Sequence, residues 1–412
     1  MSGKLPAVCL ITGGLVESNI RLQPWRYLSE VARQLAARGY PVTVLSDKAS
    51  CLAGEQEIAG VSVQRLPNVR QPWWRTNSAL QEAIRHNKPE LILWHVGLTS
   101  FLHQRFDGDG RIPTVGIFTS PLYQPREIFR LGVNKLIQSR RLSAVHGLGA
   151  LLPKQVWRRL ANRSKLLGLV VQTQTTRRQL LESGLWSRPI EVIGPGVDQI
   201  WGTTPLAGKA ETRLELGYEP SDMVVLYFGS PAPLRGLHTL IKAFELARRA
   251  DSSLKLLVLS RRRPAELLQA DHQLQQLLNH NPIGRHIQAL SSFLDEKTLA
   301  RYVAAGDIVA LPFELIPSDA PLSLLEAQAL NKPVVTTTVG CLAELVSQGV
   351  SYLAQPADPT SLAQALQQAA GNLRAPTAHP QGGFIDQPGQ TPLRSWSQVG
   401  AEWSDFIQKL LR

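Results

Sequence analysis

The feature that most constrains this chain is an alternation that runs twice. In the first pass, AVCLIT, PVTVLS, LILWHV, TVGIFT and LLGLVVQT are short apolar runs rich in Val, Ile and Leu. Between them fall amphipathic stretches such as RYLSEVARQLAARG and NSALQEAIRHN. A run that is not polar at every second position suits a strand buried on both faces, and such strands belong to parallel sheets covered by helices. Strand, helix, strand, repeated, predicts a doubly wound α/β unit. The pattern breaks at IGPGVDQIWGTTPLAG, residues 193–208, where Gly, Pro and Thr predict a hinge. It restarts with MVVLYFG, HTLIKAFELARRA, LKLLVLS, HIQAL, EKTLARYVAAG, DIVALPF, LSLLEAQAL and PVVTTT, and closes near SLAQALQQAAG. A Pro-, Gly- and Gln-rich stretch at 371–392 predicts a loop. SWSQVGAEWSDFIQKLLR predicts a closing amphipathic helix with Val399, Trp403, Phe406, Ile407 and Leu410 on one stripe.

A length of 412 residues suits two cores rather than one. The expected fold class is therefore α/β, with Rossmann-like domains over 1–195 and 196–390 and a helix over 391–412 that can cross back to the first domain. Two such domains face each other across a cleft, and ligands of open α/β sheets sit off the carboxyl ends of the strands. The site is to be sought in the loops after AVCLIT, LILWHV, MVVLYFG, LKLLVLS and DIVALPF.

Two of those loops carry chemistry. After MVVLYFG, Gly229 ends the strand and SPAPLRGLHTL places Arg235 and Gly236 before a helix, so that a fixed positive charge faces the cleft. After DIVALPF, ELIPSDAPLSLLE puts Pro321 at the first helical position, with Ser318 or Asp319 as the cap. The N–H groups of Leu322, Ser323 and Leu324 then form an anion site suited to phosphate. Glu326, about one turn further in, is placed to accept hydrogen bonds from a diol such as ribose. A diphosphate site beside a diol acceptor describes a nucleoside diphosphate. No GxGxxG follows a strand and no GxxxxGK[ST] is present, so neither a dinucleotide site nor a P-loop is expected. No metal-ligand spacing is visible, and no metal or cofactor is expected.

These residues resemble the donor-binding signature of family-4 retaining glycosyltransferases of the GT-B fold. The likeness lies in SDAPLSLLEAQALNKPVVTTTVGCLAELV and, in family order, in RYLSEVARQLAARGYPVTVLS, KPELILWH, VVQTQTTRRQLLESG, VIGPGVD, YFGSPAPLRGLHTLIKAFELA and LARYVAAGDIVALPF. The resemblance implies that Glu326 holds the ribose, Arg235 grips the diphosphate, and Leu322 and Ser323 meet the distal phosphate. It makes His95 a cleft histidine and Gly13 and Gly14 a glycine-rich loop. Three positions depart from the pattern: Ser318 stands for the first signature glutamate, Ser230 for the first diphosphate arginine and Thr119 for a histidine. Asp319 is expected to supply the missing carboxylate, which makes Arg235 and Asp319 the catalytic candidates. Arg261, Arg262 and Arg263 are expected to compensate for Ser230. The activity implied is retaining transfer of a hexose from a UDP- or GDP-sugar to a lipid-linked or envelope glycan. The alternative is a degenerate GT-B protein that binds nucleotide sugar, or supports a partner, without catalysis.

Charge enters the argument through its distribution. The net charge is +12, yet residues 1–200 carry 26 Lys and Arg against 13 Asp and Glu, while residues 201–412 carry 18 against 19. Within the first half, 126–165 holds ten basic residues, Arg140, Arg141, Arg158 and Arg159 among them, against the single acid Glu127. RQPWWR, residues 70–75, sets Trp73 and Trp74 between arginines. Basic residues with Trp157 and other apolar partners suit an anionic bilayer surface. No apolar run reaches the ~18 residues a span needs, and the N-terminal stretch lacks a signal-peptide cleavage site. Three scattered cysteines suit a reducing compartment. The expectation is a cytoplasmic protein, peripheral on the inner face of the membrane, with a nucleotide-sugar donor, a glycan or lipid-linked acceptor and no nucleic-acid partner.

Overall fold

The computed structural model describes residues 4–47, 54–58, 60–106, 110–132, 150–203, 208–230, 232–260, 283–290, 294–316, 318–346, 351–375 and 393–412. Arg140, Arg141, Arg261, Arg262 and Arg263 lie outside these residues, as does most of the 371–392 stretch.

The described residues form two sheets with helices on both faces. The first contains β1 (Val8–Thr12), β2 (Val42–Asp47), β3 (Gly54–Ile58), β4 (Val61–Leu66), β5 (Leu91–Val96), β6 (Thr114–Phe118), β7 (Gly168–Val171) and β8 (Ile190–Val192), in the order β3-β4-β2-β1-β5-β6-β7-β8. Every pairing is parallel except β3 with β4. The second contains β9 (Met223–Gly229), β10 (Leu254–Ser260), β11 (Ile287–Leu290), β12 (Ile308–Leu311), β13 (Val334–Thr337) and β14 (Ser351–Ala354), all parallel, in the order β11-β10-β9-β12-β13-β14.

The central strands are the apolar runs of the sequence, and β1, β6, β7 and β12 are buried at every residue. Four elements escape that signal: β3, β4, β8 and β14. They lie at or next to sheet edges, where one flank needs no apolar cover. β3 reads GEQEI, and β8 and β14 are three and four residues long.

Strand order reverses between β1 and β5 in the first sheet and between β9 and β12 in the second. Each reversal opens a crevice at the carboxyl ends of its strands. The loops after β1, β5, β9 and β12 therefore meet at the junction of the halves.

The 193–208 stretch is less open than its Gly, Pro and Thr content predicts. It includes the helix Gln199–Thr203, whose Trp201 is fully buried and stacks on Phe228 with ring centroids 6.1 Å apart. The helix Trp396–Leu410 leaves the second half and packs on helix Trp25–Ala37 of the first. Val399, Trp403 and Ile407 are fully buried in the core around β1, with Phe406 and Leu410 packed against it. Trp403 Nε1 donates to Tyr27 Oη at 3.1 Å, and Arg38 donates to the Ser397 carbonyl. Among the described residues no helix is long and apolar enough to cross a membrane.

Candidate active site

The second half builds its part of the site from two close backbone approaches. Gly229 closes β9 at φ 139°, and a Cβ there would lie 2.8 Å from Arg235 Cζ. Gly236, at φ 76°, starts the helix Leu237–Ala250, and a Cβ there would lie 1.9 Å from the Pro312 carbonyl oxygen. Both positions require glycine, and together they fold Arg235 back over the strand end. The guanidinium sits 5.1 Å from the Phe313 ring centroid, and Nη2 donates to Ser323 Oγ at 3.2 Å. Arg235, Gly229 and Ser323 are thus brought together.

Ser323 stands second in the helix Leu322–Ala329, whose N-cap is Pro321, with no side-chain cap. This corrects the expected capping by Ser318 or Asp319 and puts Pro321 one position earlier than expected. No side chain caps the first turn, which lies beside a guanidinium; of the three amides expected to form the anion site, Leu324 N donates to the Pro321 carbonyl at 3.1 Å, which leaves those of Leu322 and Ser323. Glu326, 6% exposed, lies one turn further along this helix. Near it stands Glu296, whose carboxyl is pushed up first by burial, then by Asp198, with Glu326 adding a smaller repulsion. Asp198 in turn accepts from Arg26 at 2.5 Å. Ser230 is held within its own loop: its Oγ accepts from Ala232 N at 3.3 Å and its carbonyl from Tyr227 Oη at 2.5 Å.

The first half contributes the carboxyl ends of β1, β5 and β6. Gly14 N donates to Asp47 Oδ1 at 2.6 Å, and Trp25 Nε1 donates to the Gly13 carbonyl at 2.9 Å, so the glycine loop is fixed from two sides. His95 lies between two threonines, Nδ1 at 3.1 Å from Thr12 Oγ1 and Nε2 at 3.0 Å from Thr119 Oγ1. Burial takes its pKa down to about 4, so the imidazole is neutral near pH 7.

Thr119 does not line an open cleft. It is 3% exposed, and its carbonyl accepts from Asp319 N at 2.7 Å and from Ser318 Oγ at 3.2 Å. Two positions expected to face the sugar are therefore bonded across the junction to each other. Asp319 is corrected as well: it is fully buried, its two carboxylate oxygens accept from Thr173 Oγ1 at 3.1 and 3.0 Å, and burial pushes its pKa up to about 6. A carboxylate sealed against the first half cannot reach a donor sugar.

Two side chains that the sequence did not single out, Tyr123 and Glu344, complete this seam. Tyr123 Oη donates to the Ile316 carbonyl at 2.9 Å and accepts from Ile316 N at 2.8 Å. The Glu344 carboxylate accepts from Gln174 N at 2.8 Å and Thr175 N at 2.6 Å, at the start of helix Gln174–Glu182. Each partner is remote in sequence, so no local motif announces the bond.

Of the surface expected to meet a membrane, Trp73 and Trp74 are 55% and 63% exposed, with rings edge to face at 5.4 Å. Arg158 and Arg159 are exposed on helix Lys154–Arg163. Trp157 is not part of that surface: it is 4% exposed and packs edge-on against Phe101.

Comparison with known proteins agrees with this architecture. Residues 25–199 match the family model described as Glycosyltransferase Family 4, and residues 222–372 match that described as Glycosyl transferases group 1. Two D-inositol 3-phosphate glycosyltransferases are similar in sequence. That of Jonesia denitrificans is 30% identical over 193 residues, 45% of this chain and 44% of that protein. That of Segniliparus rotundus is 31% identical over 162 residues, 39% of this chain and 34% of that protein. The chain thus matches less than half the length of either relative. Among solved structures, the sucrose-phosphate synthase of Thermosynechococcus elongatus superposes with a TM-score of 0.70 at 17% identity, covering 98% of this chain and 99% of that one. Anabaena Alr3699/HepE, solved with UDP and glucose, superposes with a TM-score of 0.66 at 16% identity, covering 98% of this chain and 100% of that one. With one family match on each sheet and a fold shared over nearly its whole length, the chain belongs to the family-4, group 1 glycosyltransferases of the GT-B fold.

Proposed function

We propose that this protein transfers a hexose-type sugar from a UDP- or GDP-sugar to a lipid-linked or envelope glycan, with retention of configuration, at the inner face of the membrane. The observation that carries the donor half of this reading is the convergence of Arg235 on Ser323 at a helix start without a side-chain cap, with Glu326 one turn further in. As the anomeric carbon becomes oxocarbenium-like, charge develops on the departing diphosphate. A guanidinium and helix amides already aimed at that position stabilise it without reorganising. Glu326 accepts from the ribose diol and fixes the nucleotide. Asp319 has no part in this step, which leaves Arg235 as the catalytic residue. The acceptor reading draws on the basic first half and on the exposed Trp73 and Trp74. The relatives named for D-inositol 3-phosphate make a phosphorylated polyol a second acceptor class to try.

One observation favours the alternative of a nucleotide-sugar-binding protein without catalysis: Ser318 and Thr119 are bonded to each other, and Asp319 is sealed. A thermal-shift screen of UDP-, GDP-, dTDP- and ADP-sugars, followed by donor hydrolysis, separates the readings. A donor at 100 times its Kd should add ~2.7 kcal/mol of stability. Glu326→Ala should weaken nucleotide binding by ~10–150-fold while leaving the fold intact. Binding without any hydrolysis or transfer would favour the non-catalytic reading. Unchanged nucleotide affinity in Glu326→Ala would refute the ribose assignment.

A further inference from the structure

A cavity of about 190 Å³ opens between the two halves, and neither Arg235, Ser323 nor Glu326 lines it. One wall is the short helix Pro125–Phe129 and the turn after it, which supply Arg126, Glu127 and Arg130. The other is the chain leaving β12, β13 and β14, which supplies Glu314, Thr338 and Gln355. The walls are held in register by Tyr123, two residues before the helix, through its paired bonds to Ile316.

The polar groups of this cavity are unequally occupied. Both carboxylates already accept from the protein: Glu127 Oε2 from Gln124 N at 2.7 Å, and Glu314 Oε1 from Thr239 Oγ1 at 2.6 Å. Arg126 and Arg130 are exposed, and among the described residues no carboxylate pairs with either. Four residues apart, they stand on one face, ~5–6 Å between Cβ atoms. The cavity thus sets two guanidinium side chains beside Thr338 and Gln355, and each of its two carboxylates has one oxygen committed to a protein donor. A planar carboxylate satisfies one guanidinium fork, whereas a tetrahedral phosphate offers oxygens to two forks and a hydroxyl at once.

We propose that this cavity binds a phosphate group, carried either by a small soluble sugar or polyol phosphate or by a lipid headgroup. The ligand bridges the halves, because the arginines belong to one and Thr338 and Gln355 to the other. The site is independent of the donor assignment.

The test is thermal shift and calorimetry on the full chain with inorganic phosphate, glucose 6-phosphate and glucose, and flotation with phosphatidylcholine vesicles with and without phosphatidic acid. Wild type, Arg126→Gln/Arg130→Gln and Arg235→Gln are compared, with UDP and GDP as separate ligands. The expected result is phosphate-dependent binding that weakens by about tenfold or more in the double variant. UDP binding should be unchanged there, and Arg235→Gln should leave the phosphate signal in place. Glucose 6-phosphate as the responding probe identifies a soluble source; phosphatidic acid vesicles as the responding probe identify a lipid source. The proposal is overturned if no phosphate probe binds, if glucose shifts the protein as much as its phosphate, or if the signal survives in the double variant and vanishes in Arg235→Gln. Absence of both UDP and GDP binding from all three proteins would refute the donor assignment and leave this site standing.

Discussion

Replacing Asp319 by Asn tests the seam between the halves. The Asp319 carboxyl is fully buried, and its pKa rises from 3.8 to about 6 because burial disfavours its charged form more than Thr173, Thr176 and Cys341 favour it. A folded-state pKa above the unfolded one means that the folded protein binds the extra proton. The stabilisation from that proton is complete below about pH 4 and is lost as pH rises through about 6. At ~1.36 kcal/mol for each tenfold change in proton affinity, the gap between 3.8 and about 6 is worth about 3 kcal/mol. Asparagine keeps the shape and an oxygen that can accept from Thr173 Oγ1, but it carries no charge to bury. The stability of Asp319→Asn minus that of wild type should therefore rise by about 3 kcal/mol between about pH 4 and about pH 7, with most of the change above about pH 4. Urea unfolding followed by tryptophan fluorescence at several pH values in that range measures the difference. A difference that stays flat would refute the argument from burial. A difference that falls as pH rises would mean that the threonines and the thiol stabilise the carboxylate more than burial penalises it.

Two further perturbations address the geometry of the site and its surface. Gly236→Ala forces a Cβ to within 1.9 Å of the Pro312 carbonyl at φ 76°, so stability should fall by at least ~2 kcal/mol and nucleotide binding should weaken, both readable by thermal shift; a variant with unaltered Tm would contradict the close approach. Wild type should sediment with anionic vesicles at low salt and release as salt rises, at ~1 kcal/mol per basic residue. Trp73→Ser/Trp74→Ser and Arg158→Ser/Arg159→Ser should each weaken that binding, and no sedimentation even at low salt would end the membrane reading.

The sequence was most informative where structure depends on neighbours along the chain. The apolar runs located the central strands, because burial on both faces demands an unbroken run. β3 did not meet that demand, since its edge position tolerates Glu55, Gln56 and Glu57. Arg235 and Glu326 could be placed relative to their helices because each lies close to a helix start. Asp319 was misread because its orientation is decided by Thr173, 146 residues earlier, which no local pattern connects to it. Trp157 was misread for a related reason: Arg158 and Arg159 make its helix look like a charged surface, while a narrow inward stripe of Trp157 and Ala161 does the packing. Exposure of Trp73 and Trp74 could not be read from RQPWWR, since the same letters suit a crevice; the turn that carries them turns both rings outward.

The docking of Trp396–Leu410 on the first half has a consequence for the order of events on the ribosome. Tyr27 and Trp403 are hydrogen-bonded partners 376 residues apart, and Val399, Trp403 and Ile407 fill the same core as Val31 and Leu35. A first half that emerges early would ordinarily fold as a unit before the second appears. Here one side of helix Trp25–Ala37 stays bare until residues 396–410 have been made, and the second sheet must be threaded out meanwhile. The nascent chain carries an exposed apolar groove throughout that interval, and translation speed over the second half sets how long other chains can reach it.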